Sequence, residues 1–334
     1  MIMQKLLLFF LIIFFPLFAS CEKQEHADDI RMSKEAEAVN NQFVSIAENG
    51  TVSEAFLFFT DPHLLGGENY FSQSTKNHLV NSFGTAKELY DAMPLDFCLC
   101  GGDWLNNGDT QEMAREKLLF ADTQMKGMFS HYYKMMGNHD TNYQGIISTE
   151  DNGRGDLPRE FIDKEYFSET GSAYYSFMGK QTKFYVLDSG LDWNTKMNDY
   201  RWEQIQWLAK ELQQNWDEHI AVCIHMFYND VPTITPMAQE LVSLCSAFNS
   251  RTSYKLNDED FVFAGKQGVI HFFLTGHCHI DFCEKINGLP VIGTVKFIKE
   301  TNPFDVFILD YNAGYIDIIR VGFGENRRIK MNLN

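Results

Sequence analysis

The sequence is short of positive charge. Of its 334 residues, 28 are lysine or arginine and 45 are aspartate or glutamate, so the net charge is −17. Proteins that grip nucleic acids by the phosphate backbone need a basic surface, and we therefore expect no nucleic-acid partner. An anionic substrate has to be held by a local group such as a metal ion, because the field of the whole protein repels it.

Long hydrophobic runs are missing apart from one near the start of the chain. Residues 6–18 are apolar and follow Lys5, but this run is short for a helix that crosses a bilayer of about 30 Å. The basic start, the short apolar stretch and the small residues before Cys21 resemble a bacterial lipoprotein signal peptide over residues 1–20, with the lipid on Cys21. We therefore expect an exported, membrane-anchored bacterial lipoprotein on the periplasmic or cell-surface side. A cleaved signal peptide followed by a chance cysteine is the alternative.

Internal repeats and low-complexity tracts are also absent. Residues 21–44 are polar and show no apolar repeat, so we predict a flexible tether there. Residues 45–334 are predicted to form one globular domain. The hydrophobic fraction of 45% and the charged fraction of 22% over the whole chain are typical of such proteins.

Short apolar runs alternate with longer segments of helical spacing. Six runs have the length and composition of buried strands, namely 55–59, 97–100, 132–136, 184–187, 220–224 and 269–274. Helical spacing is found in four segments, namely 74–92, 110–129, 200–216 and 236–249. We also predict a β-hairpin over 305–309 and 315–321, a long loop over 141–172, and Trp216 on the apolar face of the third helix. The alternation of strands and helices indicates an α/β fold.

Metal-ligand side chains follow five of the predicted strands. They are Asp61 and His63, then Asp103, then Asn138, His139 and Asp140, then His225, and finally His277 and His279. Each of these signals is weak alone, since a Gly-Gly-Asp sequence is often a turn and a single histidine is often a core residue. Ligands in α/β proteins bind at the carboxyl ends of the strands, so the five clusters together predict a metal site there.

This ordered set resembles the calcineurin-like metallophosphoesterase superfamily over about residues 52–325. The resemblance implies a four-layer αββα sandwich of two mixed sheets flanked by helices. It also implies two sets of metal ligands, the first being Asp61, His63, Asp103 and His279, and the second being Asp103, Asn138, His225 and His277. Asp103 would bridge the two metals. His139 would stay unligated and face the leaving group, and Asp140 would orient it.

The resemblance implies hydrolysis of a phosphate ester, either a monoester or a diester. Two metals about 3.5–4 Å apart can clamp the phosphoryl group and lower the pKa of a bridging water, whose hydroxide then attacks phosphorus. Mixed histidine, carboxylate and amide ligands suit Mn, Fe, Zn or Ni better than Mg or Ca. The expected partner is a small-molecule or lipid phosphoester. A non-catalytic, metal-binding surface lipoprotein that acts as an interaction platform is the alternative.

Several further residues carry weaker expectations. Four are candidate substrate neighbours by position, namely Asn142, Tyr143, Arg154 and Tyr228. Three cysteines lie inside predicted strands and are expected to be buried, namely Cys98, Cys100 and Cys223. We predict no disulfide. Five histidines are expected to take no part in the site, namely His26, His78, His131, His219 and His271.

Overall fold

The computed structural model describes residues 32–63, 71–142, 156–188, 198–297 and 301–332. The predicted signal peptide and Cys21 lie outside these residues. Within the described part of the chain, no helix has both the length and the apolar character needed to cross a membrane.

The described residues contain sixteen strands. In chain order these are β1 (Glu54–Phe59), β2 (Phe97–Cys100), β3 (Tyr132–Lys134), β4 (Tyr175–Met178), β5 (Thr182–Leu187), β6 (His219–Ile224), β7 (Tyr228–Asp230), β8 (Thr233–Ile234), β9 (Ser253–Leu256), β10 (Glu259–Val262), β11 (Val269–Thr275), β12 (Phe282–Ile286), β13 (Leu289–Gly293), β14 (Phe304–Asp310), β15 (Tyr315–Val321) and β16 (Arg327–Lys330). All six predicted strands and the predicted hairpin of β14 and β15 are confirmed.

Seven α-helices accompany the strands in the described ranges. They are α1 (Lys34–Asn49), α2 (Gln73–Ser82), α3 (Gly84–Ala92), α4 (Gln111–Met128), α5 (Arg159–Phe161), α6 (Asn198–Gln214) and α7 (Pro236–Asn249). A short 3₁₀ turn covers His139–Thr141, and a π-helical turn, Ile162–Tyr166, continues α5.

Two six-stranded mixed sheets form the centre of the fold. The first has the order β16-β15-β14-β1-β2-β3 and the second β12-β13-β11-β6-β5-β4. β1, β2 and β3 are parallel, as are β5, β6, β11 and β13, while β4, β12, β14, β15 and β16 each pair antiparallel with a neighbour. Parallel strands place their carboxyl ends at one edge, which is where a site can be assembled.

Alternate residues of the central strands face two different cores. On β5, Phe184 belongs to the core between the sheets and Tyr185 to the core beneath α6 and α7. Phe184 meets Phe56 of the first sheet edge to face, with ring centroids 5.6 Å apart. With α1 and α3 packed on the other side of the first sheet, the predicted four-layer αββα architecture is confirmed.

The predicted flexible tether is wrong over its last eleven residues, 34–44, because these residues belong to α1. Ala36, Val39 and Phe43 are buried there, and the hydroxyl of Ser33 caps the helix by accepting a hydrogen bond from the N–H of Ala36. Apolar residues three and four apart form a narrow stripe that packs against the sheet. The sequence prediction missed this helix because most of the residues around the apolar stripe are polar.

Three other boundaries differ from the sequence prediction. The segment 74–92 is two helices that meet at Phe83. The predicted loop 141–172 contains the α5 turn, which buries Phe161. Trp216 is 84% exposed, because α6 ends at Gln214 and the apolar face stops with it.

Candidate metal centre

The predicted ligands lie at the carboxyl ends of strands from both sheets. Asp61 follows β1 and Asp103 follows β2 in the first sheet, whereas His225 follows β6 and His277 follows β11 in the second. Asp61 and Asp103 are fully buried, as is His225. The structure thus brings together side chains that are more than 200 residues apart in the sequence, from Asp61 to His279.

One group of ligand atoms surrounds Asp61. The Nε2 atom of His279 lies 3.2 Å from Oδ1 of Asp61, and the Nε2 atom of His63 lies 3.9 Å from the same oxygen. The two Nε2 atoms are 3.1 Å apart. These three side chains are close enough together to hold one metal ion.

A second group surrounds Asp103. Its Oδ2 atom lies 3.1 Å from Nε2 of His225 and 3.8 Å from Nε2 of His63. Asp103, His225 and His277 can hold a metal ion together, and Oδ1 of Asn138 lies 2.9 Å from Nδ1 of His277. Because Oδ2 of Asp103 approaches a histidine of each group, its position fits the bridging role that the resemblance implies.

Three buried atoms of the predicted metal ligands have no hydrogen-bond partner in the protein. They are Oδ1 of Asp61, Oδ2 of Asp103 and Nε2 of His225. The second oxygen of each carboxylate is satisfied: Oδ2 of Asp61 accepts from the Thr60 hydroxyl, and Oδ1 of Asp103 accepts from the N–H of His139. Buried polar atoms are normally paired, so unpaired atoms that face one another fit a bound cation.

Hydrogen bonds on the far side of two imidazoles orient the rings. Nδ1 of His63 lies 2.9 Å from the carbonyl oxygen of Leu105, and Nδ1 of His225 lies 2.6 Å from that of Gly101. A carbonyl only accepts, so each Nδ1 carries a proton, and each Nε2 faces the site, where it can offer a lone pair once it is deprotonated. This is the usual arrangement behind a metal-binding histidine.

The backbone of the ligand loops is strained. Left-handed φ angles occur at five of the predicted ligands, namely Asp61 (52°), His63 (43°), Asp103 (64°), His277 (69°) and His279 (58°). Such angles are unusual for residues with a side chain and concentrate at functional sites. Gly137 permits a close approach between two of these loops, because a Cβ there would lie 2.1 Å from Oδ1 of Asp103.

The charged groups of the site shift one another's pKa values. Burial favours the neutral form of Asp103, but the charge of His225 outweighs it and lowers the pKa of Asp103. Burial would lower the pKa of His225, yet Asp103 and Asp61 raise it to about 10. Burial lowers the pKa of His277 to about 4, and the charge of His225 adds to this shift. A cation bound here would have to displace the proton on His225.

His139 faces the same space without a side-chain hydrogen bond. It lines a cavity of about 490 Å³ beside Asp103 and His277, and its buried Nδ1 atom has no partner. Its position beside the ligands fits the predicted role at the leaving group. A ligand role is the competing interpretation, because His63, Asp103 and His139 also lie close enough together to hold an ion.

Asp140 does not orient the His139 ring, and that part of the prediction is wrong. Its Oδ2 atom accepts hydrogen bonds from the N–H groups of Asp103 (2.8 Å) and Gly137 (3.1 Å). Its Oδ1 atom accepts from those of Trp104 (2.7 Å) and Leu105 (3.2 Å). Asp140 therefore holds the backbone of the Asp103 loop, and its own pKa is raised by burial and by the charge of Asp103.

The candidate substrate neighbours are not gathered at the cavity. The side-chain amide of Asn142 bonds to the carbonyl oxygen and N–H of Asp109. The hydroxyl of Tyr228 donates to Glu284 of β12 (3.0 Å). Neither residue lines the cavity, and Tyr143 and Arg154 lie outside the described residues.

Other residues line the cavity that the sequence had not singled out. They are Asn229, Asp230 and Val231 of the β7–β8 hairpin, with Cys278 and Ile280 beside the histidine ligands. Burial raises the pKa of the Cys278 thiol to about 11, which keeps it protonated. The six cysteines in the described ranges are free, and Cys98, Cys100 and Cys223 are buried as predicted.

A second anchor supports the loop that carries His277 and His279. Asp281 accepts hydrogen bonds from the N–H of Val295 (3.0 Å) and from the guanidinium of Arg320 (2.6 Å). Arg320 lies on β15 of the first sheet and also binds the buried Asp305. Nothing in the local sequence of Asp281 signals this contact, because its partners come from distant strands.

Comparison with known proteins places this geometry in a family. A family model of calcineurin-like phosphoesterases matches residues 55–281. A search of curated proteins finds no match.

Several solved structures are similar to the chain. GAP50, the anchor in the inner membrane complex of Plasmodium, is 11% identical with a TM-score of 0.45, over 84% of this chain and 89% of that one. A putative 5'-nucleotidase from Staphylococcus aureus is 14% identical with a TM-score of 0.40, over 84% of this chain and 54% of that one. Phosphopantetheinyl hydrolase from Mycobacterium tuberculosis is 12% identical with a TM-score of 0.40, over 73% and 90%.

The family match carries the assignment, since it spans more than half of the chain. All the predicted ligands, from Asp61 to His279, lie inside residues 55–281. The chain belongs to the calcineurin-like phosphoesterase family.

Proposed function

We propose that the protein hydrolyses a phosphate ester, a monoester or a diester, with two divalent metal ions. The observation that carries this proposal is the meeting of three unpaired buried atoms, Oδ1 of Asp61, Oδ2 of Asp103 and Nε2 of His225. Membership of a phosphoesterase family supports the reaction type. The ligand set suits Mn, Fe, Zn or Ni.

Divalent ions at this site, when bound, would neutralise phosphate charge and lower the pKa of a water molecule. The chain's own residues supply the rest. Asp61, His63 and His279 would hold one ion and His225, His277 and Asn138 the other, and Asp103 would contribute to both groups. In the hydrolysis, a water oxygen gives up a proton to solvent and forms a bond to phosphorus, the bond from phosphorus to the alcohol oxygen breaks, and the alcohol oxygen takes up a proton.

His139 is the residue best placed to assist the departing alcohol. Its ring lies in the cavity beside Asp103, and no protein group holds its Nδ1 atom. Imidazole is the side chain that most often serves as a general acid in enzymes. We assign it the role of general acid.

The test is a substrate screen on metal-reconstituted protein. Protein loaded with Mn, Fe, Zn or Ni is assayed on nitrophenyl monoesters and diesters, and then on nucleotides and lipid head groups. We expect metal-dependent turnover that chelation abolishes and metal restores. A protein that holds its ions but hydrolyses none of these esters contradicts the proposal and supports the interaction platform.

We further propose that a lipid on Cys21 anchors the protein to a bacterial membrane, on the periplasmic or cell-surface side. The apolar run 6–18 and the small residues before Cys21 support this. Cys21→Ser should release the protein from membranes or block its processing. Wild-type protein that is fully soluble and begins at another residue contradicts the anchor.

A further inference from the structure

One wall of the active-site cavity is built by residues that bind no metal. The β7–β8 hairpin contributes Asn229, Asp230 and Val231, and the segment around the last two ligands contributes Cys278 and Ile280. The rest of the lining is Asp103 with His139, His277 and His279. A phosphoryl group bound at the metals would therefore direct the rest of the substrate towards this hairpin.

Asp230 gives that wall a negative charge. It is exposed, and no lysine, arginine or histidine nitrogen lies within 4 Å of its carboxylate among the described residues. The described lining of the cavity also contains no lysine or arginine. A second anionic group on the substrate would find no cation here and would be repelled by Asp230.

Two aliphatic residues line the same cavity as this carboxylate. They are Val231, which follows Asp230 in the hairpin, and Ile280, which is 48% exposed. A cavity lined by a carboxylate and by aliphatic residues suits a cation on a short alkyl chain, because the methylene groups can contact the aliphatic side chains while the charge meets the carboxylate. A substrate rich in hydroxyl groups or in negative charge would gain nothing from either the carboxylate or the aliphatic residues.

We propose that the substrate is a phosphate ester whose alcohol carries an ammonium group on a short alkyl chain, and that Asp230 recognises this group. The proposal rests on the phosphoesterase function proposed above. Such an alcohol occurs both in soluble esters and in lipid head groups. Asp230 is a specificity residue, and the metals and His139 carry the chemistry.

A charge series on one molecular frame tests the recognition. Binding is measured by calorimetry for 2-aminoethylphosphonate, propylphosphonate and phosphonoacetate, which differ at one end in being cationic, neutral and anionic. Turnover is measured on the matching phosphate monoesters and on their nitrophenyl diesters. We expect the cationic compound to be favoured over the neutral one by roughly tenfold, with the anionic one weakest.

Two variants separate recognition by Asp230 from the field of an acidic protein. Asp230→Asn should bring the three compounds to within about twofold of one another, and Asp230→Lys should reverse their order. Asp260→Asn is the matched control, because it removes the same charge from the exposed strand β10, outside the cavity. Both aspartates are exposed, so neither change should disturb folding.

The outcomes are distinguishable. Equal binding of the three phosphonates, a preference for the anionic one, an equal effect of Asp260→Asn, or no binding at all overturns the role of Asp230. If the cationic phosphonate binds best but no ester is hydrolysed, the recognition stands and the proposed hydrolysis fails. Soluble glycerophosphoethanolamine compared with phosphatidylethanolamine vesicles then tells which source of the head group the enzyme uses.

Discussion

Both ends of the two sheets bury histidine and carboxylate side chains, but the two groups differ in how many of their atoms are paired. At the carboxyl ends of the strands, Asp61, Asp103 and His225 each expose one unpaired atom to a shared space. At the opposite end, Glu54 begins β1 and accepts hydrogen bonds from the hydroxyl of Thr182 and from the N–H of Lys180. The two ends therefore bury similar types of polar residue but differ in how many of their polar atoms have a hydrogen-bond partner.

At this opposite end, a series of side-chain contacts leads from Thr182 on β5 to Asn332 near the end of the chain. Thr182 contacts the hydroxyl of Tyr311, whose ring stacks on His219 at a centroid distance of 3.5 Å. His219 and His271 share a hydrogen bond of 2.9 Å, and Nδ1 of His271 donates to the carbonyl oxygen of Asn332. Histidine and carboxylate together therefore do not mark a site. What marks it is that their buried atoms lack partners.

The largest effect is expected from Asp103→Ala. This change removes the carboxylate that approaches a histidine of each ligand group, so both ions should be lost and turnover should fall to background. Metal analysis of the purified variant beside the wild type measures this. A variant that keeps two ions per chain would show that Asp103 does not bridge.

His139→Asn should have the next largest effect. General acid assistance is worth about 10²–10⁴-fold, so turnover of alkyl phosphate esters should fall by that factor while both ions stay bound. Esters of nitrophenol should lose much less, because nitrophenolate leaves without a proton. Loss of an ion in this variant would make His139 a ligand instead.

Asp140→Asn should weaken metal binding rather than the chemical step. An amide can replace only one of the two accepting oxygens, so two of the four backbone N–H groups lose their partner. We expect metal affinity to fall by about 10–100-fold, with turnover restored at saturating metal. Wild-type affinity combined with lost turnover would instead support the orienting role that the sequence had predicted.

The smallest expected effect concerns His271, at the end of the sheets opposite the metal ligands. It changes the free energy of unfolding and leaves turnover unchanged. Burial lowers the pKa of His271 to about 4 from an ordinary value of 6.5. The unfolded chain therefore binds the proton more readily between these values, and the free energy of unfolding should decrease as pH falls from 6.5 to 4, by at most about 3 kcal/mol.

Urea unfolding at several pH values checks this. His271→Gln should flatten the pH dependence of the unfolding free energy in that window, and the exposed His78→Gln should not. An unchanged slope in His271→Gln would assign the acid sensitivity to other groups.

Much of the fold was readable from the sequence, for a physical reason. Buried parallel strands are short apolar runs, and the turns after them must carry whatever polar groups the edge uses. Asp61, Asp103 and His225 could therefore be found from their positions directly after such runs. Helical spacing over 236–249 likewise matched α7, which begins at Pro236, a residue that suits the first turn of a helix.

The remaining features depend on contacts between distant segments. The resemblance implied that Asp140 orients His139, but the carboxylate of Asp140 accepts from N–H groups more than 30 residues away. Trp216 continued the helical spacing beyond the point where the helix stops. The local spacing of residues predicts neither the distant partners of Asp140 nor the point at which α6 ends. In the same way, the partners of Asp281 come from β15 and the segment after β13.

The division of the ligands between the two sheets bears on the order of events during synthesis. Asp61, Asp103 and Asn138 are made early, whereas His225, His277 and His279 come from the second half of the chain. A nascent chain that ends before β6 holds only part of each ligand group. If the two groups bind ions as proposed, both can be complete only after the second sheet has docked on the first. The number of ions bound per chain would then report the fraction of molecules whose two halves have assembled correctly.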